Sequence, residues 1–90
     1  MPIPVEIPPP LREHVGGALT VPASGDTVSA VLADLARLHP AIEAKLFNAG
    51  KLRPHVNVLV NNEDIRYLDD LETATPEGSV VSLIPAVAGG

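Results

Sequence analysis

The sequence predicts an α+β domain in which a mixed sheet is crossed by one main helix. Three observations predict it. Apolar and polar residues alternate with period two around residues 3–7 and 56–60, as in half-buried strands. Val28, Val31, Leu32, Leu35 and Leu38 recur at helical spacing. Clusters containing Gly or Pro separate these runs, and no internal repeat or linker interrupts them. The chain has 90 residues, 46% hydrophobic and 19% charged, so it can bury a core and is one small domain. Aromatics are 2%, Phe47 and Tyr67, so that core is aliphatic. A chain of this size hides roughly 60–65% of its unfolded surface, which leaves little material to wall a deep active site.

The elements follow in order. Ile3, Val5 and Ile7 point one way from a first strand, with Pro2 and Pro4 requiring positions off the central ladder. Pro8-Pro9-Pro10 stops it, residues 11–15 form a short connection, and Gly16-Gly17 turns the chain into a second strand at 18–21, completing a hairpin. Residues 22–27 are a loop whose last residue, Thr27, suits an N-cap. The helix begins at Val28 and ends before Pro40, which biases His39 away from helical geometry. Pro40 suits the start of a shorter helix at 41–47, closed by Asn48-Ala49-Gly50. Val56, Val58 and Val60 make a third strand, Asn61-Asn62-Glu63-Asp64 has turn composition, and residues 65–67 read as a brief fourth strand. Residues 68–75 are irregular and acidic, with Leu71 as core anchor. After the Pro76-Glu77-Gly78 turn, a last strand spans 79–84 and places Val81 and Leu83 toward the helix.

Six basic residues against eleven acidic ones give a net charge of −5, and the basic ones are scattered. A nucleic-acid binder needs clustered Lys and Arg, and an anionic membrane surface repels such a chain. No apolar run approaches the roughly 18–20 residues of a membrane span. The start has neither a basic segment nor an apolar stretch of secretory type. Cysteine is absent, which removes thiol nucleophiles and thiolate metal sites. These features together predict a cytoplasmic protein.

No catalytic constellation emerges. His14, His39 and His55 lie in different segments without ligand spacing and read as surface or loop residues, so no metal is expected. Asp69, Asp70 and Glu72 form the densest acidic patch, best read as solvated surface. Ser24, Ser29, Ser79 and Ser82 lack a triad context, and Gly16-Gly17 does not open a helix. What remains is Gly89-Gly90, preceded by an uncharged Pro85-Ala86-Val87-Ala88. At a glycine usage of about 7%, two final glycines arise by chance roughly once in 200 chains. Glycine has no Cβ, so such a segment threads a narrow channel and leaves its carbonyl open to attack. A frayed terminus, the alternative, more often carries Lys, Glu or Ser.

The tail and the element order resemble the MoaD/ThiS family of ubiquitin-like sulfur carriers along essentially the whole chain. The resemblance is carried by Gly25-Asp26-Thr27-Val28 at the helix start and Val58-Leu59-Val60-Asn61 with Glu63-Asp64-Ile65-Arg66 in mid-chain. Pro76-Glu77-Gly78-Ser79-Val80-Val81 and, above all, Ile84-Pro85-Ala86-Val87-Ala88-Gly89-Gly90 extend it. The molybdopterin-synthase branch usually has a second proline where this chain has Ala86, so the chain looks more like the carriers of the cysteine-synthesis branch. The resemblance implies a β-grasp domain over residues 1–85 and a flexible tail at 86–90. It implies no catalytic residue and no bound cofactor in the carrier itself. An E1-like adenylating enzyme would use ATP to activate the Gly90 carboxylate, and sulfide or a persulfide would displace AMP to leave a thiocarboxylate. A pyridoxal-phosphate-dependent cysteine synthase and a metallopeptidase would then complete the cycle. The alternative partner is the large subunit of molybdopterin synthase, and a further alternative is a protein modifier joined to lysines by isopeptide bonds. A carrier without cysteine avoids thiol side reactions with its cargo.

The work of such a chain is recognition. Gly89, Ala88 and Val87 would be read by partner channels, with the Val87 side chain as anchor. Alternation that points Val81 and Leu83 inward turns Ser82 and Ile84 outward, and likewise turns Leu59 outward between Val58 and Val60. Leu59 and Ile84 are therefore the expected partner patch, weighed against ordinary isolated surface apolar residues. Arg66 beside Glu63 and Asp64 reads as a solvated turn, with partner orientation as the alternative.

Overall fold

A computed structural model describes residues 2–54 and 56–85. Strands β1 (Ile3–Glu6) and β2 (Thr20–Ala23) precede helices α1 (Val28–Leu38) and α2 (Pro40–Leu46). A two-residue arm follows, β3 (Phe47–Asn48) with β4 (Lys51–Leu52), and then β5 (Val56–Val60), β6 (Glu63–Asp64) and β7 (Val81–Pro85). Five strands form one sheet in the order β2-β1-β7-β5-β6. The β1–β7 pair is parallel and the other pairs are antiparallel, which is the mixed sheet expected.

α1 lies on the inner face because its apolar stripe has nowhere else to go. Val28, Val31, Leu32 and Leu35 are fully buried in one core with Val5, Val58, Val81 and Leu83. Ile42 and Leu46 of α2 extend that core, and Leu71 packs against it half-buried. The helix start is closed from two sides. Thr27 Oγ1 accepts a hydrogen bond from the Ala30 amide at 3.2 Å, and the Val28 amide donates to the Thr73 carbonyl at 2.9 Å. Gly25 passes so close beneath the first turn that a Cβ there would stand 2.6 Å from the Val31 nitrogen.

The prolines of β1 and β2 face each other, Pro4 opposite Pro22. Opposed residues in an antiparallel pair exchange both backbone hydrogen bonds or neither. Two prolines have no N–H to exchange, so this is the unbonded pair, and Pro22 turns its nitrogen to the free edge of the sheet. Pro4 turns its own toward β7, whose pairing with β1 accordingly begins only at Val5.

Five expectations need correction. Residues 11–15 are not a plain connection: Pro9–Val15 is a 3₁₀ helix, started by prolines whose fixed φ suits a first turn. β2 begins two residues later than alternation suggested and contains Pro22, tolerable on an edge strand. Residues 65–67 are not a strand. Asn61 and Asn62 alone form the turn, at φ 52° and 71°, so β6 is Glu63–Asp64. Asp64 Oδ1 then accepts from the Arg66 amide at 2.9 Å and winds residues 65–67 into a 3₁₀ turn. Residues 48–50 do not simply close α2, since Ala49 and Gly50, at φ 54° and 79°, turn β3 into β4. The last strand starts at Val81, because the Ser79 amide is taken by the Pro76 carbonyl in a turn.

Candidate functional site

The register of the sheet aligns one row of residues across its outer face. Thr20 lies opposite Glu6, Glu6 opposite Ser82, Ser82 opposite Leu59, and Leu59 opposite Asp64. Ile84 stands two residues along β7 from Ser82, opposite Asn57, and is 46% exposed. Leu59 and Ile84, both expected to face outward, do so and line one shallow groove of about 580 Å³. Leu59 is half-buried there, and Leu19, Pro8, Pro9 and Arg12 complete the walls.

Ser82 departs from expectation. It lies on the outer face, yet it is only 7% exposed, and its Oγ donates to Glu6 Oε1 at 2.7 Å across the parallel pair. The groove therefore has a polar floor at Glu6 and Ser82 between apolar walls. Arg12 supplies its cation. The Arg12 Nε donates to the Ile7 carbonyl at 2.9 Å, which fixes the guanidinium at the groove wall, and among the described residues no carboxylate forms an ion pair with it.

Leu19 and Arg12 were not visible as site residues in the sequence. Leu19 shares the parity of Val21, which is buried, so alternation assigns it to the core. It is 63% exposed because it precedes β2 in a bend, although its carbonyl still accepts from the Ile7 amide at 2.9 Å. Arg12 becomes a groove residue only through the 3₁₀ helix, which has no periodic signature.

The other singled-out residues do not converge. Arg66 is spent on Asp64, Nη2 to Oδ2 at 2.7 Å and Nε to Oδ1 at 3.1 Å. This guanidinium, with the Arg66 amide, holds the Asp64 carboxyl below the usual carboxylate range, and the carboxylate raises Arg66 in return. Asp69, Asp70 and Glu72 are exposed. His14 and His39 are half-buried in separate segments, His55 lies outside the described residues, and among the described residues no His, Asp or Glu cluster can hold a metal. Ser79 is buried with no hydrogen-bond partner for its hydroxyl among the described residues. A second cleft of about 540 Å³ is lined by Arg53, Asp69 and Asp70 together with Leu52, Val58 and Ile65. No described helix is long and apolar enough to cross a membrane. Val87, Ala88, Gly89 and Gly90 lie outside the described residues.

Known proteins share this arrangement over the full length. Residues 5–90 match the ThiS family. CysO of Mycobacterium tuberculosis, a sulfur carrier protein, is 45% identical over 93 residues that span 100% of both chains. A chain of the Amycolatopsis orientalis BexX/CysO complex superposes with a TM-score of 0.89 at 41% identity, covering 98% of this chain and 99% of that one. Small archaeal modifier protein 1 of Methanosarcina acetivorans gives a TM-score of 0.90 at 31% identity, covering 99% and 96%. These matches bear out the β-grasp fold expected, in which the sheet wraps around α1. With the mixed sheet, the capped helix and the family match in agreement, the chain belongs to the ThiS family of ubiquitin-like sulfur carriers.

Proposed function

We infer that this protein carries sulfur on Gly90 and delivers it to cysteine biosynthesis. The observation that carries this reading is its 45% identity with CysO across the entire length of both chains. In the proposed cycle an E1-like enzyme joins the Gly90 carboxylate to AMP from ATP, releasing pyrophosphate. The free carboxylate resists attack because resonance and charge oppose it, and the adenylate supplies a leaving group. Hydrosulfide adds to the carbonyl, the bond to the phosphate oxygen breaks, and AMP leaves a thiocarboxylate. A pyridoxal-phosphate-dependent synthase then joins that sulfur to Cβ of an activated serine as the activating group leaves with its oxygen, and acyl shift from sulfur to nitrogen leaves a cysteine on Gly90 for a metallopeptidase to release. The carrier contributes no catalytic group. It contributes the Gly-Gly end, which no side chain obstructs, and the groove around Leu59 and Ile84 on which partners dock. The BexX/CysO complex is a relative seen with a protein partner, which supports docking of this kind.

Reconstitution tests the branch. The protein is incubated with the activating enzyme, ATP and sulfide, and then with the synthase and activated serine. A cysteine residue on the fragment ending at Gly90 is the expected product. A thiocarboxylate that the synthase leaves untouched contradicts the cysteine assignment and keeps the carrier.

A second reading, protein modification, is favoured by the likeness to small archaeal modifier protein 1. It starts from the same adenylate, with a lysine amine in place of hydrosulfide. Conjugates that survive boiling in detergent and vanish on deletion of Gly90 would select it.

A further inference from the structure

Among its described lining, the outer groove has two charged residues, Glu6 and Arg12, of opposite sign. They do not pair with each other: among the described residues the ion pairs are Arg37 with Asp34 and Arg66 with Asp64. Each is held by a neutral group instead. Glu6 Oε1 accepts from Ser82 Oγ at 2.7 Å, and Arg12 Nε donates to the Ile7 carbonyl at 2.9 Å. These bonds leave Glu6 Oε2 and both Nη groups of Arg12 for other partners. Arg12 is half-buried, so an ion pair formed there is screened less than one on open surface. Leu19, Leu59 and Ile84 line the same groove. An apolar wall, one cation and one anion are thus fixed in place by the fold itself.

We propose that Arg12 and Glu6 orient the activating enzyme on this groove. The enzyme's surface offers an apolar side chain to Leu19 and Ile84, a carboxylate to Arg12, and an ammonium or guanidinium to Glu6. The proposal rests on the reading that Gly90 is adenylated. The carrier and modifier readings both begin at that adenylate, so the activating enzyme is the partner both require. Apolar contact supplies burial without direction. The two charges supply the direction. A guanidinium anchored through Nε presents its Nη groups to a carboxylate in a fixed orientation. A partner docked the other way round brings its carboxylate to Glu6 and its cation to Arg12, and both contacts repel. The sign at Arg12 is diagnostic. A chain of net charge −5 attracts basic surfaces in general, so a demand for a carboxylate at Arg12 cannot come from net charge.

Steady-state ATP–pyrophosphate exchange by the E1-like enzyme of its own host, with the full chain as the varied substrate, tests it. Arg12→Gln should raise the KM for the chain about tenfold at little-changed kcat, and Arg12→Lys should recover much of that loss. Glu6→Gln, which can still accept from Ser82, should raise the KM about threefold. Arg53→Gln is the control. Arg53 is anchored in the same way, Nε to the Ala44 carbonyl at 3.0 Å, but lines the other cleft, so its KM should match the parent's. Added salt should raise the KM of the parent more steeply than that of Arg12→Gln, which a purely structural loss would not produce. If Arg12→Gln fails to fold, Glu6→Gln and Arg12→Lys decide, the first by its rise and the second by a KM near the parent's. An unchanged KM for Arg12→Gln overturns the proposal, as does the fall that a more acidic chain would show toward a basic partner. An equal rise for Arg53→Gln overturns it too, because the loss would then follow charge anywhere on the chain. Exchange with the parent but indifferent Arg12 and Glu6 variants overturns this proposal alone, whereas no exchange with the parent overturns the reading of Gly90 beneath it.

Discussion

Thr27 caps the helix around which the core is built, and its contribution is measurable by itself. Thr27→Ala leaves the Ala30 amide without its side-chain acceptor and should lower stability by about 1 kcal/mol, read as a lower urea midpoint with an unchanged slope. Asp34 shows the electrostatic counterpart. Its carboxylate accepts from the Ser24 amide at 2.9 Å and from Arg37 at 2.7 Å, and these bonds, the amide first, hold its pKa below the usual carboxylate range. A group lowered on folding stabilises the fold above its unfolded pKa, and that stabilisation is lost as pH falls through its folded value. Asp34→Asn should therefore be less stable than the parent at neutral pH and lose less on acidification below roughly pH 4. Parallel acid limbs for the two proteins would contradict this. At this scale the sequence was informative where chemistry is local: Thr27 before an apolar run reads as a cap without any structure. The Ser24–Asp34 bond was not legible, because ten residues and a loop separate the partners.

Elements were legible in proportion to their periodicity. α1 has five apolar residues at helical spacing and a cap, and its observed bounds, Val28–Leu38, are those the pattern implied. The 3₁₀ segments were missed, since three residues per turn over so short a stretch leave no pattern to count. The same lack of pattern hid Arg12, while alternation assigned Leu19 to the core, and both line the outer groove. Two predictions belong to this scale. Leu32 is fully buried at the centre of the α1 stripe, so Leu32→Ala should cost about 2–5 kcal/mol, measured by denaturant titration. Pro22 guards the edge of β2. It offers no N–H at the free side, and the next outward amide, that of Ser24, is taken by Asp34. Pro22→Thr restores a donor to a row that another strand can use, and sedimentation should reveal association that the parent lacks. A variant that stays as monomeric as the parent would remove Pro22 from the account of the edge.

At the scale of the molecule, 90 residues build a scaffold in which no His, Asp or Glu cluster among the described residues can hold a metal. The architecture places a groove and the exit of the chain side by side. Parallel pairing of β1 with β7 is the cause: it sets the end of the last strand next to the prolines that end the first. That adjacency was not legible in the sequence, where Pro8 and Ile84 are far apart, whereas the Gly-Gly end and its family motifs were. The proposed function places sulfur on Gly90. Its most direct test is mass spectrometry of the C-terminal fragment from protein purified from its own host without added thiols. Using the fragment avoids confusion with oxidation of Met1, which adds nearly the same nominal mass to the whole chain. Replacement of one carboxylate oxygen by sulfur in the fragment ending at Gly90 is the predicted result. A terminus that stays unmodified even with the activating enzyme, ATP and a sulfur source supplied would contradict it, leaving a β-grasp binding module.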